Sequence, residues 1–549
     1  MKQTKTFLFL FLGLFLQSSL QATTYYGTPS DYTSYLSLLQ PGDSLLLQAG
    51  DYYDRLNLDD IVGTESQPIV ISGPLSGNAA VFYGNACCNT VSIERCAYLK
   101  IQNLLLDGQD IPYIDAVKAE GTAGSWAHHI TLENLLIINH GGAPLTVGIS
   151  TKCPAWGWII RRNTLIEPGV GLYLGNSDGT APFVDGLIEY NLVLNPQRYC
   201  MQVKHQNTGT RDVAGMPTEA HTTIRYNVFA KDENSDPDTP RPNLLVGNFP
   251  ESGAGSNDYY EIYGNLLFQN PSEGLFQGTG NFGFYDNLLI NYYSNGWGIL
   301  SFPHNDFAPR TINYFNNTVY TASYGIEIYN PDLAYQQNVV GNAIFAPIPF
   351  QLNSNVNEQN NISDEDYAIV NYVQNPFGPL NQTDFRPLPN ALTGTPIDPS
   401  AFSFYERYNY DFEGRSRGWE YRGAYTESNQ LIWQTALEIR PEVALLTTGL
   451  WPESYARKLF SFEIFPNPTS QDKLSLSANI PSSGSLSLSL CDSYGRCLLR
   501  KEKKVKRGLF EEQIQLNDIF SGIYVLHWVF TNKRGQTASG NQKIILEKN

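Results

Sequence analysis

The chain has 549 residues, too many for one ordinary globular domain unless it extends as a repeat. Its formal net charge is −17 and only 16% of its residues are charged, which argues against a nucleic-acid partner, since basic surface supplies most of that affinity. Tyr, Asn and Gly stand where charges usually do, a composition suited to strands and turns more than to helices.

At the start, Lys2 and Lys5 precede the apolar run "FLFLFLGLFL" and then "QSSLQA". This is the order of an export leader, with cleavage expected after Ala22. The run is too short to span a bilayer, and no later stretch reads as a transmembrane segment. Export to the outer cell surface or release is expected, and the chain is expected to be a monomer.

From residue 23 to 350 the dominant signal is an internal repeat. "ITLENLLIINHGG" (from Ile130), "WIIRRNTLIEPGVGLYLG" (from Trp158), "GLIEYNLVLNPQRYCMQVK" (from Gly186) and "YEIYGNLLFQNPSEGLFQG" (from Tyr260) share one grammar. A short alternating strand leads to an Asn, a second apolar strand, a polar turn and often a third strand. The marker Asn recurs at 103, 134, 163, 191, 227, 265, 287, 317 and 342. One such coil cannot bury its inward face alone, whereas stacked coils can. Asn tolerates the left-handed backbone of a sharp corner, and its amide can bond along a stack. The expected fold is all-β, a parallel β-helix.

Residues 351–425 are rich in Asn, Pro and Asp and read as irregular closing rungs. Residues 426–460 read as a linker, with a helix from Asn429, and 461–549 as a separate β domain. Seven cysteines leave at least one thiol unpaired. Cys87, Cys88 and Cys96 offer one disulfide, and Cys491 with Cys497, bracketing the turn "DSYGR", another. No spacing suggests a zinc site.

Three stretches resemble known families. "LQPGDSLLLQAGDYYDRLNL" with "GTESQPIVISGP" resembles the N-terminal rungs of secreted right-handed β-helix (pectin lyase-like) proteins, and "DFEGRSRGWEYRGAY" their closing segment. "FEIFPNPTS", "CDSYGRCLL" and "SGIYVLHWV", in that order, resemble the C-terminal sorting domain of type IX secretion cargo of Bacteroidetes. The first resemblance implies a right-handed parallel β-helix (solenoid); the second implies a small C-terminal β-sandwich after it, the type IX machinery as a partner and export through the periplasm.

A uniform β-helix has no pocket, so chemistry is sought where turns are enlarged. The widest marker gaps are Asn191 to Asn227 and Asn227 to Asn265, at 36 and 38 residues. Their surplus is His205–His221 and Lys231–Asp258, two neighbouring insertions expected to wall a groove. In "MQVK", Met201 and Val203 alternate inward, and Gln202 and Lys204 outward. Lys204, His205, Arg211 and Arg241 are the candidate site. Lys204, Arg211 and Arg241 are expected within about 10 Å of one another, a Debye length at 0.1 M salt. Grouped cations on an acidic exported scaffold suggest an acidic polysaccharide.

A uronate lyase removes the proton beside the sugar carboxylate and expels the glycosidic oxygen. Lys204 fits the base, with Arg211 or Arg241 on the carboxylate. The resemblance to chondroitinase B-like lyases implies a Lys and Arg pair, in some members with calcium. A non-catalytic glycan-binding, adhesin-like protein and a glycoside hydrolase are the alternatives. Asp185 and Glu189 read as surface charges. His128 and His129, as successive strand residues, should face opposite sides and make a poor metal pair. Trp297, Tyr292 and Phe302 could stack on sugars or fill the core, and Asn361 in "NIS" is a glycosylation pattern only.

Overall fold

The computed structural model describes residues 22–304, 307–426, 432–443 and most of 462–546; the expected leader lies outside the described residues. Three parallel sheets of 15, 12 and 11 strands run through residues 24–364. Each coil contributes one strand to each sheet, as in Leu187–Glu189, Leu192–Leu194 and Met201–Val203. In chain order these belong to the first, second and third sheets. The fold is thus a parallel β-helix. Its last coil is built from Ile348–Leu352, Asn357–Gln359 and Ile362–Asp364, so the coils continue past residue 350.

Alternation explains the core. Along the third sheet Leu172, Met201, Leu244 and Phe276 stand in register and are fully buried. Their neighbours Tyr173, Gln202, Leu245 and Gln277 form the adjoining outward row.

The Asn ladder sits at the corner from first to second sheet. The Oδ1 of Asn191 accepts from the backbone N of Asn163 at 3.1 Å and from its Nδ2 at 3.0 Å. The same paired contacts continue through Asn227, Asn265, Asn287, Asn317 and Asn342 to Asn361. Asn361 is therefore the ladder's last rung. The left-handed residue, however, is the one before each ladder Asn: Arg162 (φ 56°), Tyr190 (φ 55°), Tyr226 (φ 59°) and Asp286 (φ 50°). Asn103 (φ 59°) and Asn134 (φ 56°) occupy that earlier position, so the ladder begins at Asn163 and not at Asn103.

The segment after the last coil folds back along the flanks. Phe385, Leu392, Phe412 and Tyr425 pack against outward residues such as Val228, Leu266 and Leu288 of the second sheet. Ile397, Phe402 and Tyr405 cover the outward aromatic row Tyr190, Tyr226, Tyr263, Tyr285 and Phe315. The helix expected from Asn429 is absent among its described residues, 432–443. There Arg440, 1% exposed, donates to the carbonyls of Gly264 and Phe412 and lies 3.9 Å from the Phe412 ring centroid. The backbone N of Val443 donates to the Tyr190 hydroxyl. These straps line the first two sheets and leave the middle of the third uncovered.

Two antiparallel sheets follow, of three and four strands, between Phe462 and Leu546. They share a core that includes Leu476, Leu488, Ile514, Leu526 and Ile544, which makes a small sandwich. Strand register sets Cys491 opposite Cys497; their side chains, and so the pairing expected there, lie outside the described residues. Cys87 bonds to its neighbour Cys88. Cys96, offered above as a partner, is instead a buried free thiol, as are Cys153 and Cys200.

Candidate functional site

A groove of about 390 Å³ opens on the third sheet. Its floor is the outward row Tyr173, Gln202, Leu245 and Gln277, with Lys204 at the far end of its strand. One wall is Pro240, Arg241 and Pro242, from the turn between second and third sheets, with Arg198 and Tyr199 of the preceding coil. The opposite wall is Phe302 and His304, from the turn leaving the third sheet.

Lys204 stands clear because glycines flank it. One residue beyond the paired rows come Gly175, Lys204 and Gly247 on consecutive coils. A Cβ at Gly175 (φ 92°) would sit 3.2 Å from Cβ of Lys204, and one at Gly247 only 2.4 Å from the backbone N of His205. Burial lowers the Lys204 pKa below the ordinary lysine range, and the Arg241 charge lowers it further. Both effects favour the neutral amine. His304 is likewise shifted down, by burial first and then by Lys204 and Arg241. Among the described residues nothing hydrogen-bonds the Lys204 ammonium.

Arg241 donates from Nη1 to the Pro240 carbonyl at 2.7 Å and lies 5.7 Å from the Tyr199 ring centroid. Its own carbonyl accepts from Lys231 Nζ at 2.8 Å and from Asn270 Nδ2 at 2.9 Å, which pins this turn from below. Burial pushes the Tyr199 phenol up to about 12. Gln202 is 2% exposed, and its Nε2 has no partner among the described residues. An unpaired buried donor on a groove floor is costly unless a ligand oxygen meets it.

Of the candidates read from the sequence, the groove brings together Lys204 and Arg241. His205 lies beside them, half-buried, 5.9 Å from the Phe307 ring, with its pKa lowered by burial, Lys204 and His304. Arg211 is not there. It is 4% exposed and donates to Asp258, to Gln206 Oε1 at 3.0 Å and to the Pro217 carbonyl at 2.9 Å. It staples the loop after Lys204 to the loop after Gly247. The second insertion is split by the strand Leu244–Val246, so its first half walls the groove and its second half joins that staple. Sequence reasoning missed His304, Gln202 and Tyr199. Gln202 and Tyr199 were in plain view beside Lys204, but nothing local marks His304, three coils away.

Other expectations change too. Glu189 is 4% exposed and pairs with Arg225 at 2.8 Å, so it is not a surface charge. His129 has φ 51°, which breaks strand alternation, so His128 and His129 share a side with their Nδ1 atoms 2.8 Å apart. Trp156 stacks on His128 at 4.4 Å and Tyr98 on His129 at 4.4 Å. Calcium takes about six to eight oxygen ligands. Among the described residues Glu273 is the one carboxylate residue lining the groove and no cluster of three His, Cys, Asp or Glu suits a metal, so their donor set does not fit.

Among solved structures, a GH136 lacto-N-biosidase from Eubacterium ramulus is similar at 12% identity and TM-score 0.40, over 62% of this chain and 67% of that one. The PL6 family alginate lyase AlyGC is similar at 13% and 0.35, over 64% of this chain and 54% of that one. An alginate lyase from Paenibacillus sp. str. FPU-7 is similar at 14% and 0.33, over 62% and 98%. No curated protein matches. Residues 463–547 match the model of the secretion system C-terminal sorting domain. The chain thus carries the sorting domain of type IX secretion, which directs its cargo to the cell surface or beyond.

Proposed function

We propose that the β-helix is a polysaccharide lyase that cleaves an acidic, uronate-containing chain by β-elimination in this groove. The observation that carries the reading is Lys204: a partly desolvated amine with no hydrogen-bond partner among the described residues, facing a groove shared with Arg241 and His304. Neutral Lys204 takes the proton from the carbon beside the sugar carboxylate. The electron pair left there forms the new carbon–carbon double bond, and the glycosidic carbon–oxygen bond breaks. Arg241 offsets the charge that builds on the carboxylate, as a positioned cation in a partly desolvated site does. Tyr199 keeps its proton at neutral pH and is the donor for the departing oxygen. Phe302 offers an apolar wall to a sugar face.

A hydrolase needs two carboxyl groups flanking the bond, about 5 to 9.5 Å apart. Among the described residues Glu273 is the one carboxylate lining the groove, so they do not supply that pair.

The test is optical. Elimination makes an unsaturated, ultraviolet-absorbing sugar, whereas hydrolysis makes only reducing ends. Alginate, polygalacturonate and glycosaminoglycans are incubated with the full chain and with Lys204→Ala. Absorbance should grow on one of them and stop in the variant. Binding without either product would make the protein an adhesin-like glycan binder, and growth that survives Lys204→Ala would remove the base assigned here.

A further inference from the structure

The row that holds Lys204 continues toward the N-terminal end of the solenoid. On successive coils it reads Glu94, Glu120, Lys152, Gly175, Lys204, Gly247, one residue beyond the paired positions of each strand. Lys152 stands two coils from Lys204, about 10 Å at the usual spacing between strands. Gly175 on the coil between them has no side chain to separate them.

Lys152 resembles Lys204 in its isolation. Its Nζ lies 3.5 Å from the centroid of the Tyr173 ring, which lines the groove floor. Among the described residues no acceptor hydrogen-bonds that ammonium, although the chain has 53 acidic residues to 36 Lys and Arg. The carboxylates nearby are engaged elsewhere. Asp115 accepts from the backbone N of Val147 and from Ser150 Oγ, and lies 3.9 Å from Lys118 Nζ. Glu120 accepts from Asn89 Nδ2 and Ser92 Oγ. On the floor beside Lys204, two residues earlier in the same coil, stands Gln202, in register with Tyr173 of the coil between the two lysines, with its Nε2 unpaired among the described residues. The Lys152 cation and the Gln202 amide donor, both without an acceptor among the described residues and on the sheet face that the straps leave open, match the acceptors of an anionic chain laid along the axis past the Lys204 amine.

We propose that Lys152, seated on Tyr173, forms a second carboxylate subsite two coils from Lys204, so that the polymer runs along the solenoid and is read at every second acidic sugar. The inference rests on the uronate reading above and adds the direction of the chain and the spacing of its charges. It also sets an end. Past Lys152 the row is acidic, Glu120 and then Glu94, and repels a further carboxylate. Lys152 is the last charge-reading position on that side.

The experiment uses oligouronates of two, four and six residues, one series cut from alginate and one from polygalacturonate. Binding is measured on the full chain carrying Lys204→Ala, and turnover on the chain with Lys204 intact. Lys152→Met should raise KM about tenfold for the four- and six-residue substrates, leaving kcat and the disaccharide's binding unchanged. Lys152→Arg should restore most of the loss. An equal effect at all lengths, no effect, or a fall in kcat at constant KM would overturn the subsite and leave the elimination reading standing. Binding that steps up with length through Lys152, with no absorbance growth in the unsubstituted chain, would keep the subsite and sink elimination. If neither series binds, the subsite falls, and if glycosaminoglycans also give no absorbance growth with the unsubstituted chain, the elimination reading falls with it.

Discussion

Replacing Arg211 by Met separates a structural cation from a catalytic one. In the folded chain its guanidinium side chain is 1% exposed and its partner Asp258 3%. Met keeps the length and the packing but strips Asp258 of its counter-ion, leaving the backbone N of Ala220 at 2.8 Å as the carboxylate's hydrogen-bond donor. Gln206 Oε1 and the Pro217 carbonyl lose a donor as well. Breaking one partner out of a buried pair costs about 3–5 kcal/mol, most of it the stranded charge. Removing both charges costs far less, so Arg211→Met with Asp258→Leu should recover most of the stability. The pH dependence has a definite sign. Burial raises the Asp258 pKa, and more so without Arg211. The penalty in the single variant is then full above that raised pKa and fades as pH falls toward the unfolded value near 4. Urea unfolding at neutral and mildly acidic pH, on the single and double variants, measures all of this. Suppose instead that Arg211→Met unfolds like the unsubstituted chain yet loses all turnover. Arg211 would then be a groove cation, and the staple described here would be wrong.

Turnover should rise with pH, because the base works as a neutral amine, and should level off below the ordinary lysine range. Arg241→Gln should move that rise to higher pH as well as weakening binding, and a pH–rate profile that does not move would separate Arg241 from Lys204. Asn227→Ala strands the backbone N of Asn191 and the carbonyl of Ile188 inside the ladder, which predicts a loss of about 2–6 kcal/mol in urea unfolding. Burial brings Lys152 and Lys231 each down to about 8. The unfolded chain therefore binds more protons above that pH, and stability should climb from about pH 8 to 10. Lys231→Met should flatten that climb in a thermal series.

The coil grammar was legible because it is periodic. Every coil repeats an inward alternation and a corner, so even low similarity between coils left the stack visible. The ladder was half legible. Asn at 163, 191 and 227 announced a corner but not which residue bends, and Asn103 and Asn134 mimic the marker while standing one position early. Lys204 and Arg241 could be found because long gaps point to enlarged turns. Arg211 sat in the same gap, but its role was decided by Asp258, 47 residues on. Sequence spacing carries no record of such a partner. His304 was invisible for the same reason, since three coils of stacking bring it opposite Arg241.

Arg440 bears on maturation. Its guanidinium is closed against Gly264 and Phe412, and Val443 still holds the Tyr190 hydroxyl. A protease cutting ahead of that point would unpick the flank of the β-helix itself. A cut beyond Val443 and ahead of Phe462 would separate the sorting domain and leave every flank contact described here in place. One sealed arginine thus marks how much of the tail the exported protein can lose.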